Sequence, residues 1–186
     1  MKLEDLYLIN KEEWLDVIKD KCKKKAKTDF WVGLVSLILF LIMVTIAIYV
    51  ELHPEIHYSA HGKEHFVLLL TIFLEALISG WWALKSYSFL KTIDGLGTPE
   101  QLLNKFKKYV KDKSIILTIG SLIFTGWFFA YFTLSPNLGI TMKVITWIIS
   151  LAAATLYVSR LIRGKYLVGP SDEDITRRLQ ELIGEE

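Results

Sequence analysis

A single cysteine, Cys22, stands in 186 residues. A disulfide scaffold needs cysteine pairs, so that class is excluded. The same scarcity excludes thiol-relay enzymes and cysteine-rich zinc folds. Catalytic signatures are missing as well. Gly95 and Gly97 lack the downstream lysine and serine of a phosphate-binding loop and read as a turn. No GxSxG elbow, no HExxH motif and no cysteine–histidine nucleophile pair is present. The chain therefore reads as non-enzymatic, with no resident cofactor. Disorder is excluded by a hydrophobic content of 52% and an aromatic content of 13%. Basic charge is nearly absent from two stretches: residues 51–65 hold only Lys63, and residues 133–143 only Lys143.

What is present is four long apolar runs. Residues 30–50 and 115–132 carry no charge. Residues 66–84 carry only Glu75, and residues 140–158 only Lys143. Crossing a hydrocarbon core of ~30 Å takes roughly 20 helical residues. All four runs qualify with their flanks, and each must be a helix, because lipid offers exposed backbone groups no partner. The first run is too long and too far from the start to be a cleavable signal. Lysines and arginines give the direction. Residues 1–29 hold eight, residues 85–114 seven and residues 160–186 five. Positive charge stays inside, which puts both termini and the central loop in the cytoplasm. The expected fold is an all-α integral membrane protein, a four-transmembrane-helix bundle with N-in/C-in topology. The whole chain, 1–186, is read as a single membrane domain in a bacterial inner membrane. It has a basic segment at 1–29, an outer loop at 51–65, a cytoplasmic loop at 85–114 and a cytoplasmic tail helix at 163–186.

Three cytoplasmic segments read alike. Asn10 and Glu13, Thr98 and Gln101, and Ser171 and Asp174 each place a capping side chain three residues before an acid or amide. Apolar residues then follow at helical spacing: Trp14 and Ile18 in the first segment, Phe106 and Val110 in the second, Leu179 in the third. Amphipathic helices are thus expected before spans 1 and 3 and at the C-terminus. The first two each run into a span, a pattern that fits a tandem duplication. Such stripes lie in the headgroup layer, pack on one another, or dock a partner. The docking reading makes the chain an accessory or regulatory protein holding a partner on its cytoplasmic face. The lysine run at 19–27 suits anionic lipid and is explained by the adjacent span, so nucleic acid is not expected as a partner.

Two further features carry chemistry. Glu75 lies inside its span, with Thr71 and Ser79 four residues to either side on the same helix face. An ionisable group at that depth costs roughly 2.5 kcal/mol or more unless partnered. Thr125, Thr146 and Ser150 fall at similar depth, and Lys143 lies nearer the outer edge. The site reads either as structural, a buried pair of Glu75 with Lys143 or a protonated carboxyl hydrogen-bonded to hydroxyls, or as the proton or cation site of an oligomeric small-ion or small-molecule transporter. The second feature is four histidines in the outer loop, His53, His57, His61 and His65, at a constant spacing of four. His57 and His61 have the i, i+4 spacing that metals use on a helix. A divalent metal, or sensing of external pH, is the chemistry this pattern offers.

Overall fold

The computed structural model describes residues 3–53, 63–135, 139–162 and 170–184. No strand occurs among them. Five α-helices follow in order: α1 (Leu3–Leu52), α2 (Lys63–Thr92), α3 (Pro99–Leu134), α4 (Ile140–Ile162) and α5 (Pro170–Gly184). A short 3₁₀ turn, Ile93–Gly95, separates α2 from α3.

α1 is one helix of 50 residues. The expected amphipathic helix and the first apolar run therefore belong to one continuous helix, with no break between them. The same holds for α3, which joins the second striped segment to the third span across 36 residues. α1 begins at Leu3, so Asn10 lies inside the helix and does not cap it. The preceding residues contain no glycine or proline, and nothing in them stops helix propagation. Thr98 does cap α3. The Gln101 backbone N–H donates to the Thr98 hydroxyl at 3.3 Å, and the Gln101 side chain accepts from the Gly97 N–H at 3.2 Å. At α5, Pro170 takes the first helical position and Ser171 falls within the first turn.

Four helices are long and apolar enough to cross a membrane: Glu13–Val50, Phe66–Gly95, Pro99–Leu134 and Ile140–Ser159. The chain divides into two compact units, and α1, α2 and α3 each contribute residues to both.

The apolar unit comprises the described residues within 33–81 and 115–166. Its outward side chains are large and greasy, among them Leu39, Ile46, Ile148 and Leu151. Such a surface is an aggregation hazard in water and ordinary in lipid. Its buried positions are mostly small or weakly polar, among them Ala76, Ser79, Thr118, Thr146 and Ser150, with Ile72 and Ile116 the larger apolar exceptions. Helices in lipid associate through close backbone approach and packing, which small side chains permit.

The lysine-rich unit comprises the described residues within 1–32, 82–114 and 167–186. It has a conventional apolar core. α1 supplies Leu15, Ile18, Cys22 and Ala26, and the end of α2 with its turn supplies Phe89, Ile93 and Leu96. α3 adds Leu102, Leu103, Phe106, Tyr109 and Val110, and α5 adds Ile175, Leu179 and Leu182. Phe89 and Tyr109 stack with ring centroids 4.5 Å apart. The three striped segments thus bury their stripes against one another, as the periodic burial along each helix requires.

Candidate functional site

In the apolar unit, Glu75 projects from α2 at a half-buried position. Its carboxylate rests on the backbone of α3 at Gly120. A Cβ at position 120 would stand 3.3 Å from Glu75 Oε2 and 3.9 Å from Oε1. The missing side chain of Gly120 is what gives the carboxylate its seat.

The neighbours expected for Glu75 turn elsewhere. Thr71 donates its hydroxyl to the Val67 carbonyl at 2.8 Å, and Thr125 donates to the Ser121 carbonyl at 2.7 Å. Thr146 donates to the Met142 carbonyl at 2.9 Å. These are bonds within one helix, the usual refuge of a hydroxyl with no water nearby. Ser79 and Ser150 are buried. Lys143 donates to the Thr133 carbonyl at 3.1 Å. That carbonyl belongs to the last turn of α3, where helix geometry leaves acceptors open and favours a cation. Trp147 reinforces this corner by donating to the Thr133 hydroxyl at 2.7 Å. Glu75 and Lys143 are therefore not brought together, and no side chain among the described residues pairs with Glu75 or donates a hydrogen bond to it.

The lysine-rich unit holds a polar cluster that the sequence reading missed. Asp29, Lys113 and Asp172 are all buried. Lys113 Nζ donates to Asp29 Oδ2 at 2.8 Å and reaches Asp172 Oδ2 at 3.5 Å. Tyr109 donates its hydroxyl to Asp29 Oδ2 at 2.7 Å, and Ser86 meets the same hydroxyl at 3.2 Å. Lys25 lies 3.9 Å from Asp172 Oδ1. One ammonium between two carboxylates on three helices is a clamp. It holds α1, α3 and α5 in register, since a buried charge tolerates little displacement from its partner. Burial, and then the charge of Asp29, pushes the Tyr109 hydroxyl above its ordinary range. Burial, and then Asp172, pushes the Cys22 thiol up to about 12. Neither group is a nucleophile or base at neutral pH. A signal for the cluster existed: Asp29, Lys113 and Asp172 each continue the stripe of core positions on their own helix.

The residues expected to dock a partner separate into two groups. Ile18, Phe106, Val110 and Leu179 are interior, with exposures of 7% or less. They pack in the core of the unit. Trp14 is different. It is 51% exposed, and Val17, three residues on and on the same face, is 53% exposed.

Of the histidines, His57 and His61 lie outside the described residues, and His65 falls in the first turn of α2. His53 follows the end of α1, where its Nδ1 lies 3.0 Å from the Tyr49 carbonyl and its ring stacks on Tyr49 at 4.3 Å. Among the described residues, no group of three or more histidine, cysteine or acidic side chains is placed to hold a metal ion.

Among the described residues the chain is all-helical, with four helices long and apolar enough to span a membrane, which suggests a membrane protein. No protein-family model, no curated protein and no solved structure matches the chain.

Proposed function

We propose that this chain is a non-enzymatic membrane protein of accessory or regulatory type, which holds a partner protein through the outward face of α1 in its lysine-rich unit. The observation that carries the reading is the contrast along α1. The stripe at Leu15, Ile18 and Cys22 is spent on the core, while Trp14 and Val17 face outward half-exposed. Tryptophan is the residue most enriched at energetically decisive protein contacts, and a large apolar side chain left outward needs an occupant more than a lysine does. The lysine count of its segments supports a cytoplasmic position for this unit, and a bacterial inner membrane is the setting that the compact chain and its lysine run suit.

The test is purification of the full chain from its native membranes in gentle detergent, as wild type and as Trp14→Asp and Val17→Asp variants. The reading expects one stoichiometric partner with wild type and its loss from both variants, with Cys22 still protected from alkylation. Retention of the partner by both variants contradicts it, and so does recovery of the wild-type chain with itself alone. Phe106→Asp is not a usable probe, because Phe106 is wholly buried and its charge would unfold the unit.

A second reading rests on Glu75. Its carboxylate lacks the lysine partner expected of a purely structural pair, which supports proton-coupled transport of a small ion or molecule by an oligomer. Glu75→Gln keeps the shape and removes the titratable proton. The transport reading expects flux in proteoliposomes from wild type and none from the variant; equal flux ends it.

A further inference from the structure

A second site lies in the lysine-rich unit, and it is independent of partner docking. A cavity of about 460 Å³ opens between α1 and the first turns of α5. Lys21, Lys24, Lys25, Thr28, Ser171 and Asp174 line it, over the apolar floor of Ile175. Lysines 21, 24, 25 and Thr28 recur at helical spacing, so one face of α1 presents three ammonium groups to one space.

Those charges are under-compensated. Lys24 is exposed and has no ion-pair partner among the described residues. Lys21 stands 3.8 Å from Asp174, and Lys25 stands 3.9 Å from Asp172. Both separations exceed the roughly 2.7–2.9 Å of a direct charge-assisted bond. Asp174, the one carboxylate in the lining, is already held by Arg178 at 3.0 Å and by Arg177 at 3.2 Å. Desolvation works against ionisation there, but the hydrogen bonds from Arg178 and Arg177 prevail and hold the carboxyl below its usual range. Its charge is therefore answered from outside the cavity, and the three lysines keep donors to spare. Each ammonium has three.

The place of the cavity along α1 says which anion belongs in it. Thr28 lies two residues before the apolar run that starts at Phe30, and Trp31 is 52% exposed beside it. An outward tryptophan at the start of a span marks the headgroup level. We infer that this cavity binds the phosphate of an anionic phospholipid headgroup, with Lys21, Lys24 and Lys25 as its donors. The volume falls in the range of small-molecule sites, roughly 300–1,000 Å³.

The test uses the purified full chain in neutral detergent. Native mass spectrometry reads the lipid retained after addition of phosphatidylglycerol, phosphatidylcholine, or soluble glycerol phosphate. The site predicts retention of phosphatidylglycerol over phosphatidylcholine. Removing one lysine contact of this kind costs about fivefold in affinity. Lys24→Gln should show that loss, and Ser171→Asp, which sets a like charge in the lining, should show at least as much. Lys27→Gln, exposed and outside the lining, should retain the lipid as wild type does. Protection of Cys22 from alkylation shows that each variant is folded. Equal retention of the two lipids overturns the site, and equal losses in Lys24→Gln and Lys27→Gln reduce it to the summed charge of the lysine run. Glycerol phosphate binding as tightly as phosphatidylglycerol overturns the assignment to lipid.

Discussion

Lys113 donates to Asp29 across 2.8 Å, joining α3 to α1 just before the apolar run of each helix begins. The two residues are 84 positions apart in the chain. Asp172 of α5 answers the same ammonium at 3.5 Å, so three of the segments that build the lysine-rich unit meet at one charge.

Breaking this clamp from its centre should be severe. Lys113→Met leaves two buried carboxylates facing each other, and removing one partner from a buried ion pair typically costs about 3–5 kcal/mol. The expected result is faster alkylation of Cys22 in detergent, with the apolar helices still protected from hydrogen exchange. Lys85→Met breaks only the half-exposed 3.0 Å pair with Asp112 and should cost less than about 1 kcal/mol. Comparable effects in the two variants would show that Lys113 is no clamp.

Glu75 and Gly120 should be coupled. In an isolated helix, Gly→Ala is favourable by roughly 1 kcal/mol. Here the new methyl group meets the Glu75 carboxylate at 3.3 Å, and overpacking costs about 1–3 kcal/mol. Gly120→Ala should therefore destabilise wild type and stabilise a Glu75→Ala background. A double-mutant cycle on thermal stability reads the change of sign. The same effect in both backgrounds would mean that Gly120 does not seat the carboxylate.

Cys22 should be silent at neutral pH and matter in alkali. The unfolded thiol loses its proton around pH 9, whereas the folded one holds it up to about 12. Between these values unfolding releases a proton, so stability is fully present below pH 9 and falls as pH rises through that window. Tyr109 acts in the same direction, from a starting value of 10.0. Circular dichroism over an alkaline series should show Cys22→Ala losing structure at higher pH than wild type. Identical curves would place Cys22 outside the core.

The cap at Thr98 is a smaller test of the same unit. Thr98→Ala removes the acceptor of the Gln101 N–H and should cost about 1 kcal/mol. Thr98→Ser should restore it, and thermal melts of the three proteins compare them directly.

The four long apolar helices were legible in the sequence, because an apolar run of that length with charge withheld has one solution in lipid, a helix. The stripes of Ile18, Phe106 and Leu179 were legible as helical, but not their destination. A greasy stripe does not state whether lipid, a partner or a sister stripe covers it, and here sister stripes do. Asp29, Lys113 and Asp172 were hidden among charges that read as orientation signals, although each sits in register with its helix's core positions. Glu75 stood out in its span, but Gly120 did not, because the meeting of α2 with α3 depends on which helix faces which. Lys143 was drawn toward Glu75 by opposite charge. The open carbonyl at Thr133, ten residues away in the chain, accepts from that ammonium instead.

Replacing Trp14 with a photo-crosslinking amino acid and irradiating native membranes tests the proposed docking face most directly. Asp16, exposed and on a different face of α1, serves as the control position. The account predicts one discrete adduct with a second protein at position 14 and none at position 16. Labelling of lipid alone, or of a second copy of this chain, would contradict it.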